Sequence, residues 1–102
     1  MVKFDYDEFL KEKNRYLTVL SKVFDKMYLN NHVDIASYSV INDAQELINE
    51  WAKVARQIPT EIVKCKRRKG STPRYRQLIK EYEIKHERLK NHMILFLLKS
   101  SY

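Results

Sequence analysis

The chain has 102 residues, 44% of them hydrophobic, and carries 20 Lys and Arg against 13 Asp and Glu, for a net charge of +7. That length fits one domain spanning 1–102, and the apolar content suffices for a core. One glycine, two prolines and one cysteine argue against a turn-rich all-β fold and exclude an intrachain disulfide or a cysteine-built zinc cluster.

The first predicted helix announces its start. Asp5 followed by Glu8 fits a capping box, and Phe4 with Phe9 fits the accompanying hydrophobic staple. Tyr6, Phe9, Lys13, Tyr16, Leu20, Val23 and Met27 then recur in steps of three and four. Leu10, Leu17 and Phe24 flank them at sevens, which predicts a wide apolar face running to a stop at Asn30-Asn31. His32 to Tyr38 reads as a connector, in which Asp34 can start a turn of helix.

A second helix is predicted from Ser39 as cap. Val40, Ala44, Leu47, Trp51, Val54 and Ile58 form its stripe, with Ile41, Ile48 and Ala55 beside it. Lys53 and Arg56 suit the negative end of the helix dipole, and Pro59 is read as the stop. Thr60 then caps a short basic helix, Glu61 to Lys69, ended by Gly70; a basic loop is the competing reading. Thr72 as cap and Pro73 in the first helical position open the last helix. Its stripe is Ile79, Tyr82, His86, Leu89, Met93 and Phe96, with Glu81 and Lys85 as an i,i+4 pair. Met93 to Leu98 is apolar all round, which predicts cover on several sides, inside the bundle or at a subunit interface. The expected fold is all-α: a compact bundle of three long helices with a short basic helix or loop before the last.

The charge is not spread evenly. Lys64, Lys66, Arg67, Arg68, Lys69, Arg74 and Arg76 lie in one segment without an acidic residue. The rest of the chain holds 13 basic and 13 acidic side chains. A local excess is a surface that partners can read. Lys and Arg arrayed this way neutralise phosphates and release counterions, a sequence-independent source of nucleic-acid affinity. The candidate nucleic-acid-binding residues are Lys64, Lys66, Arg67, Arg68, Lys69, Arg74, Tyr75, Arg76 and Lys80. Tyr75, between two arginines, is placed to stack on an unpaired base. A helix-turn-helix outline puts Arg74, Arg76, Gln77 and Lys80 near a groove, but its first helix lacks the apolar face to hold the second.

The alternative partner is an acidic protein, docked on the same segment, with homodimerisation through the wide apolar faces as a further option; a merely solvated loop is the plainest reading. Chemistry is less promising. The carboxylates are explained by caps and exposed faces, and a chain with one glycine has no Gly-rich phosphate loop. Cys65 has cationic neighbours but no adjacent histidine, so a semi-buried structural thiol is the expectation. His86 sits on an apolar stripe and His92 on another face, which does not give a zinc pair. A binding protein is therefore expected, with no enzymatic activity, metal or cofactor. The opening residues lack the apolar run of a signal peptide, and the longest apolar run, Met93 to Leu98, falls far short of the roughly 20 residues of a membrane span. These point to a soluble, intracellular protein.

Overall fold

The computed structural model of the protein describes residues 4–29 and 35–100, with side chains placed for 4–25 and 39–94. Within them the chain forms three helices and no strand: α1 (Tyr6–Leu29), α2 (Ile35–Arg68) and α3 (Pro73–Ser100). The expected bundle of three long helices is present, drawn out to 56 × 21 × 17 Å. The stop at Asn30-Asn31, the residues 32–34 of the connector, and the side chains of Met27, Tyr28, Tyr38 and the apolar end beyond Ile94 lie outside the described residues.

Helix α1 starts where its cap predicts. One Asp5 carboxylate oxygen accepts the N–H of Asp7 at 3.0 Å and of Glu8 at 3.3 Å, satisfying donors that the first turn leaves unpaired. Phe4, just before the cap, meets Tyr82 of α3 edge-on at 5.2 Å. The entrance of α1 is thereby fastened to α3.

Helix α2 departs from expectation twice. It begins at Ile35, so Ser39 lies inside it, and it runs through Pro59 to Arg68. The separate short helix Glu61–Lys69 does not form; its residues are the last turns of α2, and Thr60 is an exposed position within the helix. A proline inside a helix denies the Ala55 carbonyl its partner, at a cost of about 3 kcal/mol. The buried stripe nevertheless continues across it from Trp51, Ala55 and Ile58 to Cys65. Stopping at Ile58 would strip cover from Cys65, Tyr75 and Leu78, all at most 5% exposed. Burying a large apolar side chain is worth roughly 1.5–3 kcal/mol, so a few such contacts outweigh the lost hydrogen bond.

Helices α2 and α3 run antiparallel, in contact from Val40 and His92 to the turn between them. His92 Nε2 lies 3.3 Å from the Val40 carbonyl, Lys85 reaches Glu50 at 3.6 Å, and Arg74 donates to Gln57 at 2.9 Å. This long helical hairpin differs from a helix-turn-helix, whose helices cross steeply. Lys85, expected to pair with Glu81, serves the α2–α3 interface through Glu50.

Two apolar clusters fill the bundle. The larger joins all three helices: Phe9, Tyr16, Leu20 and Val23 from α1, Ile41, Ala44, Ile48, Trp51, Ala52 and Ala55 from α2, and Leu89 and Met93 from α3. Trp51, fully buried, is its hub. Phe9 and Tyr16 meet its ring edge-on at 4.7 and 5.8 Å, and His86 stacks on it at 4.9 Å with an 11° tilt. Its indole N–H is buried, and the Tyr82 ring lies 5.8 Å from the indole. Glu12 Oε1 accepts the Tyr16 hydroxyl at 2.6 Å and lies 3.0 Å from His86 Nε2. Burial pushes the Glu12 carboxyl up, but Tyr16, His86 and Arg15 together hold it below its ordinary value.

The second cluster, Val54, Ile58, Cys65, Tyr75 and Leu78, belongs to α2 and α3 alone, with Phe4 as its neighbour from before α1. The bundle is thus three helices thick over one half and two helices thick at the other. The predicted row at sevens on α1 also looks different in place: Leu10, Leu17 and Phe24 remain 37–40% exposed, at the edge of the core.

Candidate nucleic-acid interface

The two-helix end is built around the α2–α3 turn. Helix α2 closes with Gly70 N–H bonded to the Cys65 carbonyl at 3.1 Å and Lys69 N–H to the Lys66 carbonyl at 3.4 Å. That paired closure requires a left-handed residue, a position usually given to glycine. Here Lys69 takes it, with φ 58°; Gly70, expected as the stop, follows one residue later with ordinary φ.

Helix α3 opens on Thr72. The threonine hydroxyl accepts the Tyr75 N–H at 3.0 Å and donates to Glu61 Oε1 at 2.7 Å, while the Thr72 N–H reaches Cys65 Sγ at 3.4 Å. Glu61 and Thr72 are each 7% exposed. Lys64 Nζ stands 3.7 Å from the other Glu61 oxygen. One buried carboxylate, one cap and one thiol therefore latch the end of α2 to the start of α3. Cys65 is buried in this latch, so its sulfur has a packing and bonding role.

Around the latch the surface is basic. Lys64, Lys66, Arg67, Arg68, Lys69, Arg74, Arg76 and Lys80 are all exposed, and the turn gathers them at one end of the molecule. Arg74 is held in a fixed pose, donating to Gln57 across the hairpin and to Gln77 at 3.2 Å on its own helix. Tyr75 must be reassigned. It is 4% exposed and packs in the second cluster, because the Thr72 cap fixes the start of α3 so that Tyr75, Leu78 and Tyr82 face α2. Burial pushes its phenol up, and Cys65 adds to the rise. It is core, not a stacking platform.

Two basic residues were misread in the sequence. Lys53 and Arg56 belong to a helix end only if Pro59 stops α2. In the continuous helix they share the outer face with Lys64 and Arg67, at separations of three, eight and eleven residues, which at 3.6 residues per turn fall on one side, and both are exposed. From Trp51 to Lys80 the chain's sole acidic residue is Glu61, and its carboxylate is buried and engaged.

Among the described residues no group of His, Cys, Asp or Glu side chains is arranged to hold a metal ion, and no helix is long and apolar enough to cross a membrane. One depression elsewhere lies between α1 and α2, lined by the exposed Leu17, Phe24 and Gln45 and the buried Leu20 and Ile41. The chain matches no family model, no curated protein and no solved structure.

Proposed function

We propose that this protein binds nucleic acid through phosphate contacts of its basic two-helix end, Lys64 to Arg76 with Lys80 beside them. The observation carrying this reading is the asymmetry of charge at that end: every Lys and Arg is exposed, while the one carboxylate is buried and occupied by Thr72 and Lys64. A polyanion approaching it meets cations and no opposing charge. Binding is electrostatic docking, with affinity set by counterion release. No catalytic step is proposed.

The test is an anisotropy titration with labelled oligonucleotides over a range of salt. A footprint of about six phosphates on a duplex gives a log–log salt slope near −5. Replacing Lys66, Arg67, Arg68 and Arg76 by Gln is expected to weaken binding to all sequences alike and to flatten that slope. Arg74 is left in place because it bridges the hairpin. Undisturbed binding by the quadruple variant would remove the site assignment.

A second reading has its own observation. The exposed row Leu10, Leu17 and Phe24, 37–40% accessible at a repeat of seven, favours a protein-interaction module whose α1 meets another helix. A mass that doubles with concentration, and that Leu17→Glu abolishes, is the outcome expected of it.

A further inference from the structure

Resting on the nucleic-acid reading, we infer that the ligand is a duplex, held along its phosphate backbone without regard to sequence, and that its footprint runs up the outer face of α2 to Lys53.

Three observations converge on this. The first concerns stacking. Proteins that hold single strands offer aromatic faces, each worth about 1–3 kcal/mol per base. Between Trp51 and Lys80 the chain has two aromatic residues, Trp51 and Tyr75, and they are 0% and 4% exposed. A splayed strand finds no exposed aromatic face there.

The second is the shape of the charge. Lys53, Arg56, Lys64 and Arg67 mount one face of a single helix that Pro59 does not interrupt. They span about 21 Å at 1.5 Å per residue. A rigid row of that length matches a stiff polyanion of fixed spacing. A duplex presents a charge every ~1.7 Å of axis, about twice the density of either strand, and releases more counterion per contact.

The third is that the side-chain amides are engaged. Side-chain amides read adenine edges in the major groove. The two carboxamides of this stretch, Gln57 and Gln77, both accept from Arg74, and Gln57 also donates to the Lys53 carbonyl at 3.2 Å. They are committed to the hairpin. What remains facing outward is chiefly Lys and Arg, set in a row along the flank of a long hairpin and not on a helix that enters a groove, where such side chains contact phosphates.

The experiment compares mixed-sequence duplex DNA, duplex RNA and single-stranded DNA, each about 20 nucleotides long, comfortably beyond the row. The expected result is at least ~10-fold tighter binding of duplex than of single strand at equal salt, with little change when the sequence is shuffled. The two duplex arms report whether B-form or A-form backbone fits better. The double variant Lys53→Gln/Arg56→Gln, checked for unchanged helicity, is expected to weaken duplex binding by roughly 5–10-fold and to lower the salt slope by about 2. Equal or tighter binding of the single strand overturns the duplex inference and leaves the basic-end reading standing. An unaffected double variant overturns the extended footprint. No binding of any oligomer at low salt overturns the basic-end reading and, with it, this inference.

Discussion

The two halves of this molecule hold together by different means. Where α1 is present, three helices surround Trp51, and the ring system of Phe9, Tyr16 and His86 closes over it. At the other end two helices face each other across a smaller cluster, and a hydrogen-bonded latch of Glu61, Cys65 and Thr72 supplements what packing alone provides. The thick half carries the burial, and the thin half carries the charge. The difference teaches that a surface rich in like charges can be displayed on a rigid support only if something other than a third helix braces it. Here the brace is polar and local.

The sharpest way to break this comparison is to remove the hub. Trp51→Ala empties the centre of the thick half and is expected to cost about 3–5 kcal/mol, enough to unfold a domain of this size or bring it near its limit. Leu78→Ala in the thin half, although its residue is equally buried, should cost nearer 2 kcal/mol, because two helices can close on a void more readily than three. Urea denaturation followed by both Trp51 fluorescence and far-UV circular dichroism tests the contrast. Non-coincident curves in Leu78→Ala, with helicity lost before the tryptophan signal changes, would mark the thin half as a separately melting unit. Equal losses from both substitutions would mean that the halves are braced alike.

Pro59 stands between the halves and sets a second test. Restoring the missing donor with Pro59→Ala is expected to stabilise the protein, by up to about 3 kcal/mol if the helix around it is otherwise regular. A proline that truly ended a helix would give the opposite sign, since the substitution would then only loosen the unfolded and turn states. Thermal melting decides between them. A gain would also tie the thin half more firmly to the thick one, so the two probes should coincide more closely than in the parent chain.

This same residue marks where the sequence ceased to be a sufficient guide. The stripes of α1 and α2 and the caps at Asp5 and Thr72 were legible because periodicity and capping are local and use residues with strong, direct preferences. The basic segment was legible as composition. Pro59 misled because its penalty is local while the compensation comes from Cys65, Tyr75 and Leu78, which belong to a contact between distant segments. Lys53 and Arg56 were then misread for the same reason. Tyr75 was misjudged by its neighbours: lying between two arginines says nothing of orientation, which follows from the register set by Thr72. Ala52, fully buried, fell outside the predicted stripe because only the crossing of α1 makes that side of α2 interior.

The latch itself is open to a smaller perturbation. Thr72→Ala removes the oxygen that caps Tyr75 N–H and the hydroxyl that serves Glu61. A lost cap costs about 1 kcal/mol and an unserved buried carboxylate adds to it, so roughly 2 kcal/mol is expected. Thr72→Ser, which keeps both bonds, should recover most of the loss. If the serine variant is as weak as the alanine, the methyl group's packing, and not the hydroxyl, braces the turn. Amide exchange localises the effect: protection should fall in the last turns of α2 and the first of α3 and stay unchanged around Trp51.

The least perturbing test lies at Lys69, the one described non-glycine residue with positive φ. A side chain in the left-handed region costs roughly 1–2 kcal/mol, and glycine removes that strain while conceding some unfolded-state entropy. Lys69→Gly is therefore expected to raise stability by about 1 kcal/mol. It also removes one cation from the basic end, so the salt slope of binding should flatten by about 1. The two readouts then move in opposite senses, the fold firmer and the affinity weaker. Under the proposed function, a lysine placed against its own backbone preference at the apex of the charged turn is a point where the thin half would give up stability for charge. Were Lys69→Gly to stabilise the protein without altering affinity, the left-handed lysine would lie outside the binding surface, and the contacts would belong to the helix faces on either side of it.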